Sequence, residues 1–144
     1  MADYFRSLNV NPLDVSASAL AAHRVRMNTI ANNLANVNTT RDERGFNNVF
    51  RRKEVVFKTG NPVVTGNERY GVRVRKVIPD KSALRIEYHP DHPDADRQGY
   101  VKLPNVQVPL EMIDMVEASR AYEANITAIQ VTRNMHNQAL ELLS

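Results

Sequence analysis

All five glycines of this 144-residue chain (Gly45, Gly60, Gly66, Gly71 and Gly99) lie in the middle of the sequence, as do five of its seven prolines, from Pro62 to Pro104. The other two prolines are Pro12 and Pro109, so residues 13–44 and 110–144 contain neither backbone breaker. A long breaker-free stretch that starts at a proline suits a helix, because the first turn leaves its N–H groups unpaired anyway and proline presets φ. The expected fold is therefore α+β: two long terminal helices forming an antiparallel coiled-coil-like pair, with a small β-rich hairpin insert between them. The expected boundaries are 1–40 for the N-terminal helical segment, 41–104 for the insert and its loops, and 105–144 for the C-terminal helix that pairs with the first.

Charge follows the same partition. From Arg41 to Lys102 there are 14 Lys or Arg against 9 Asp or Glu, while the flanking segments hold 5 basic and 7 acidic residues. The basic balance of the chain is thus a property of the insert. With no cysteine, disulfide frameworks, thiol nucleophiles and thiolate zinc sites are excluded, and the redox compartment stays open. No run approaches the ~18 consecutive apolar residues of a membrane span, so no membrane insertion is expected. Asp3 and the lack of an apolar h-region over residues 1–20 argue against a cleavable secretory signal.

Asn11 is placed to cap the first helix, Pro12 to begin it and Asp14 to sit in its first turn, with Val10 and Val15 spaced as a hydrophobic staple. A 3-4 spacing then runs Leu13, Ser16, Leu20, His23, Met27, Ile30, Leu34, Val37, a seam ~40 Å long at 1.5 Å per residue. Asn28, Asn32, Asn33, Asn36 and Asn38 crowd its end. Asn36 and Asn38 suit helix termination; alternatively, some of these amides, Asn33 and Asn36 among them, are buried against another chain and fix register.

The C-terminal helix carries two apolar series. One runs Met112, Met115, Ser119, Tyr122, Ile126, Ile129, Arg133, His136, Leu140, Leu143; the other runs Ala121, Ala124, Ala128, Val131, Met135, Gln138, Leu142, roughly 160° away around the helix. A helix apolar on two sides must be covered on two sides, and one partner helix covers one. Either the insert folds back over the second face or other chains cover it.

In the insert, residues 70–78 alternate Tyr70, Val72 and Val74 against Arg73 and Arg75, and 84–88 alternate again, which predicts a hairpin of about 70–88. Residues 51–58 and the pair Val63 and Val64 are weaker strand candidates. Clustered cations at Arg51, Arg52, Arg73 and Arg75 raise an alternative function, a basic nucleic-acid-binding domain, but interspersed acids and the absence of a stacking platform favour solvated strand faces. Two histidines and three carboxylates fall between His89 and Asp96; prolines in that run oppose chelation, and aspartates capping loop N–H groups are the better reading. No phosphate loop, nucleophile elbow or zincin pair is present, and His23 and His136 lie on helical seams, so no catalytic, cofactor or metal residue is assigned and no enzyme is expected.

Ser16 to Leu20 (SASAL), Arg26 to Asn28 (RMN) and the run 31–40 (ANNLANVNTT) resemble the N-terminal signature of bacterial flagellar rod and hook proteins. In the C-terminal half, the loop motif His92, Pro93, Asp94, Ala95, Asp96, with Gly99 and Tyr100, followed by Pro104 to Val106, Glu111, Met112 and 118–125 (ASRAYEAN), resembles the proximal-rod members of that family. Where such proteins commonly carry a Gly-Gly-Pro-Tyr-like turn, this chain reads RGFNNVFRR over 44–52.

The resemblance implies a structural subunit of the flagellar basal-body rod, the shaft that crosses the periplasm and transmits torque. It further implies export by the flagellum's own type III route. Implied partners are copies of itself, the rod proteins FlgB, FlgF and FlgG, the adaptor FliE and the surrounding basal-body rings. The implied assembly residues are Leu13, Leu20, Met27, Ile30, Asn33, Leu34, Asn36 and Val37 on the first helix. On the second they are Met112, Met115, Tyr122, Ala124, Ile126, Ala128, Ile129, Val131, Met135, Leu140 and Leu143.

Overall fold

The structure, a computed structural model, describes residues 12–41, 45–60 and 70–142. Helix α1 spans Pro12–Ala35. Four strands follow, β1 (Lys53–Thr59), β2 (Val72–Pro79), β3 (Arg85–Tyr88) and β4 (Tyr100–Leu103), and then helix α2 (Val108–Glu141). The architecture is α+β, two long helices flanking a small antiparallel β region, as the breaker distribution implies. Asn11, Val10, the Val63 and Val64 strand candidate and Leu143 lie outside the described residues.

Pro12 opens α1, and Asp14 sits in its first turn, where a carboxylate complements the helix dipole. The helix ends at its asparagines. The Asn36 N–H is shared between the carbonyls of Asn32 and Asn33 at 3.2 Å each. Its side-chain amide donates to the Asn32 carbonyl at 2.8 Å, and its Oδ1 accepts from the Thr39 hydroxyl at 3.1 Å. Asn36 thus satisfies carbonyls that the last turn leaves open. Helix α2 begins one residue before Pro109, and Glu111 occupies its first turn.

The strand pairing departs from the hairpin expected over 70–88. β2 pairs with β1, and β3 pairs with β4. The β1–β2 hairpin is antiparallel: the Gly60 N–H donates to the Gly71 carbonyl at one end, and the Asp80 N–H to the Arg52 carbonyl at the other. In the second hairpin Arg85 faces Leu103 and Tyr88 faces Tyr100. Asp80 and Ser82 explain the rerouting. Asp80 Oδ1 accepts from the Ser82 N–H at 2.8 Å, and the Asn105 amide donates to Ser82 Oγ at 2.7 Å. The turn after β2 is therefore tied to the start of β1 and to the chain beyond β4, which leaves β3 to pair with β4.

The chain divides into two compact units, one drawn from three stretches of sequence and the other from two. One comprises 1–25, 56–76 and 117–144. Among its described residues, the fully buried positions are Ser18, Ala22, Gly60 and Ala118, all small. Ser18 Oγ accepts from the Val72 N–H at 3.1 Å, joining α1 to β2, and His23 meets the Phe57 ring edge-on.

The other unit comprises 26–55 and 77–116 and holds the larger core: Ile30, Val101, Leu103, Pro104 and Val106. Strand β4 alternates, with Val101 and Leu103 inward and Tyr100 and Lys102 outward, the period-2 pattern of a half-buried strand. In this unit α1 and α2 pack against each other and run antiparallel, since Arg26 reaches Asp114 while the later Asn33 reaches the earlier Glu111.

Candidate assembly interface

Three elements converge on one buried carboxylate. Glu111, from the first turn of α2, is fully buried, as is Asn33 near the end of α1. The Asn33 amide donates to Glu111 Oε2 at 3.0 Å and to the Lys53 carbonyl at 2.9 Å, and its Oδ1 accepts from the Lys53 N–H at 2.9 Å. Asn33 therefore meets β1 as a neighbouring strand residue would, with the donors and acceptor of its amide used. Arg52 donates through Nε to Glu111 Oε1 at 2.5 Å and through Nη2 to Asp114 Oδ2 at 3.2 Å. It also pairs with Glu54, and its own N–H donates to Asn105 Oδ1 at 2.9 Å. Arg26 completes the cluster on Asp114 at 3.3 Å.

The cost of burying these charges is offset only because they are paired and hydrogen-bonded. Burial disfavours the Arg52 charge, but Glu111 and then Glu54 outweigh it and hold the guanidinium above its ordinary value. The knot fixes how α1, α2 and β1 meet.

The loop motif is a second polar construction in the same unit. Asp94 Oδ1 accepts from Arg41 Nε at 2.7 Å, and Oδ2 from the Thr40 hydroxyl at 2.7 Å. Asp96 Oδ1 accepts from the N–H groups of Gln98 and Tyr100 at 2.8 and 2.9 Å. Arg41 lowers the Asp94 pKa and the Tyr100 N–H lowers that of Asp96. His92 Nδ1 accepts the Asp94 N–H at 3.1 Å, and His89 lies against Glu87 at 3.2 Å. The run that resembles a ligand set is thus spent on holding its own loop. No group of three or more His, Cys, Asp or Glu is placed to hold a metal among the described residues. Gly99 takes φ +85° under Tyr88, where an added Cβ would stand 2.8 Å from the Tyr88 ring, and Tyr88 and Tyr100 stack edge to face at 5.4 Å.

Of the implied assembly residues on the first helix, Ile30 and Asn33 are buried, Leu13, Leu20, Met27 and Leu34 half-buried, and Asn36 and Val37 follow the helix end, half-buried. On α2, Met115, Tyr122, Ile126 and Ile129 are half-buried, whereas Met112, Ala124, Ala128, Val131, Met135 and Leu140 are exposed. The covered stripe of α2 runs through Glu111, Met115, Ala118, Tyr122, Asn125 and Ile129, along one edge of the first series. The second series is left open from Ala124 to Met135, so the insert does not cover it.

Val131 and Met135 are 51% and 64% exposed, and every residue from 133 to 142 is exposed. Seven of the large apolar side chains exposed among the described residues lie on α2, more than single scattered surface residues explain.

The sequence gives little sign of the knot. Glu111 enters only as part of a motif, Arg52 only as one of several cations, and Asn105 and Asp114 carry no role. The usable signal is polar: Asn33 sits at the end of an apolar helix and Glu111 among apolar residues, and each needs a partner. Two of the four cations offered for nucleic acid have partners within the chain. Arg52 is held by carboxylates, and Arg51 donates to the carbonyls of Asp80 and Ser82. No described helix is long and apolar enough to cross a membrane.

Residues 13–41 match the family described as "Flagella basal body rod protein", and 97–142 match "Flagellar basal body rod FlgEFG protein C-terminal". The chain is 40% identical to the flagellar basal-body rod protein FlgC of Borreliella burgdorferi, over 91% of this chain and 95% of that one. To the FlgC of Bacillus subtilis it is 42% identical, over 90% and 95%, and to that of Salmonella typhimurium 38%, over 92% and 96%.

Proposed function

The chain belongs to the FlgC family of flagellar basal-body rod proteins, and on that premise we propose that the exposed apolar face of α2 is the surface through which it joins its neighbours in the rod. The protein is a structural subunit of the basal body, assembles with other rod components and is not an enzyme. The single observation that carries the interface reading is the uncovered series Ala124, Ala128, Val131, Met135, opposite a stripe already covered within the chain. Its alanines permit close approach of a second helix, as small residues do wherever backbones must come near. A heterologous contact of this kind, repeated without closing, generates a helical array.

The finer reading follows from the family. The neighbours are further copies, the rod proteins FlgB, FlgF and FlgG and the adaptor FliE, within a shaft that spans the periplasm and is supplied by the flagellar export route. Torque then passes through helices packed on more than one side.

Val131→Asp combined with Met135→Asp tests the interface. Both sites are exposed, so the purified chain should melt as the parent does, while rod incorporation and swimming are lost. Normal swimming with the doubly charged face would end the assignment.

A further inference from the structure

A shallow groove of ~440 Å³ opens beside the end of α1, within the unit that holds the knot. Among the described residues its lining includes Arg41, Arg51 and Lys53 and no carboxylate side chain. The guanidinium of Arg51 is held at 3.1 Å by the Ser82 carbonyl and at 3.4 Å by that of Asp80, acceptors that orient it without neutralising it. Lys53 Nζ lies 5.4 Å over the centre of the Phe50 ring, a contact that positions an ammonium and leaves its charge intact. Arg41 is already paired with the Asp94 carboxylate at 2.7 Å, so the cations that the groove offers are Arg51 and Lys53.

The backbone adds a second, independent observation. Residues 46–52 run as an unpaired segment between the end of α1 and β1. The Phe50 N–H donates to the Thr39 carbonyl, and the Arg52 N–H to Asn105 Oδ1. The N–H groups of Val49 and Arg51, which alternate with these, have no acceptor among the described residues. A row of open donors along an unpaired segment is what an incoming strand completes.

We propose that this groove receives an extended, carboxylate-bearing segment of a neighbouring polypeptide, which pairs with the backbone along Val49 and Arg51 and places acidic side chains on Arg51 and Lys53. The charge selects carboxylates and the open N–H row selects a peptide over a phosphate chain. In the rod such a segment belongs to an adjoining subunit. The site rests on the assembly reading for its partner and shares no residue with the apolar face of α2.

The test is an amide NMR titration of the purified full chain with an acetylated and amidated hexapeptide alternating glutamate and valine. Parallel titrations use the same peptide with glutamine for glutamate, and inorganic polyphosphate. The expected result is saturable shifts of the Val49 and Arg51 amides by the glutamate peptide. Its binding should be roughly tenfold weaker for the glutamine peptide and for the Arg51→Gln, Lys53→Gln variant, and unchanged for Arg75→Gln. No saturable shift, an equal response to the glutamine peptide, or stronger binding of polyphosphate at the same amides would each overturn the proposal. Because the titration needs no rod, its failure leaves the outcome of the α2 variants untouched, and a failure of those variants leaves the titration untouched.

Discussion

Asn33 and Glu111, 78 residues apart in sequence, meet through a 3.0 Å hydrogen bond with both residues fully buried. Neither has access to water, so each depends on the other and on Arg52. Removing Arg52 (Arg52→Met) leaves Glu111 buried without its cation and should cost about 3 kcal/mol, toward the lower bound for breaking a buried pair because Arg52 is partly exposed. Asn33→Ala should cost about 1 to 3 kcal/mol by stranding the polar groups of Lys53 and Glu111. The combination Arg52→Met with Glu111→Leu should recover much of the first loss. Urea melts of these three variants and of Glu111→Leu alone check this, and an additive double variant would show that the pair is not coupled.

Gly99 and Gly45 form a controlled pair. Both take positive φ, +85° and +78°, but a Cβ at Gly45 meets nothing within 4 Å, while one at Gly99 meets the Tyr88 ring. Gly45→Ala should cost only the left-handed penalty of about 1 kcal/mol. Gly99→Ala adds the displacement of Tyr88 from Tyr100, visible as a change in the near-ultraviolet tyrosine dichroism. Equal melts with unchanged dichroism would mean that the Tyr88 ring moves freely.

Asp80, Asp94 and Asp96 all titrate below the ordinary 3.8 of an aspartate. The largest causes are the Ser82 N–H for Asp80, Arg41 for Asp94 and the Tyr100 N–H for Asp96. Below 3.8 the unfolded chain binds protons that the folded loop refuses. Their contribution is therefore complete above that pH and is lost as pH falls through the depressed folded values. Hydrogen exchange should show the Gln98 and Tyr100 amides opening first under acid, and Asp96→Asn should bring that opening to neutral pH.

Ten consecutive exposed residues, 133 to 142, close the described chain. An isolated helical end without tertiary cover frays, because helix stability in proteins comes mostly from packing. Amides over 133–141 should exchange far faster in the dilute chain than those of 114–126, and become protected in assembled rods. Strong protection in the monomer would contradict an interface there.

Much of the architecture is legible in the positions of glycine and proline. Pro12 and Pro109 mark the helix starts to within a residue, because breakers act locally and need no partner. The hairpin assignment fails because strand pairing is not local. Asp80 and Ser82 look like a hairpin turn, and only Arg52 and Asn105, far away in sequence, divert β3 to β4. The two-faced character of α2 is likewise readable from spacing, yet the covered stripe passes through Glu111 and Ala118, which a hydrophobic count ranks low. Asn36 ends its helix as its residue type suggests. Asn33, three positions earlier and of the same type, does something a single sequence does not reveal.

The small side chains that fill the first unit, Ser18, Ala22 and Ala118, have a consequence for proteolysis. They contribute little to holding their own unit closed, and the end of α2 stays open beside them. Proteolysis follows the population of such open backbone. In the purified chain that end of the helix is therefore the backbone a protease should reach before residues 114–126, and cover by a neighbouring chain would remove the cleavage.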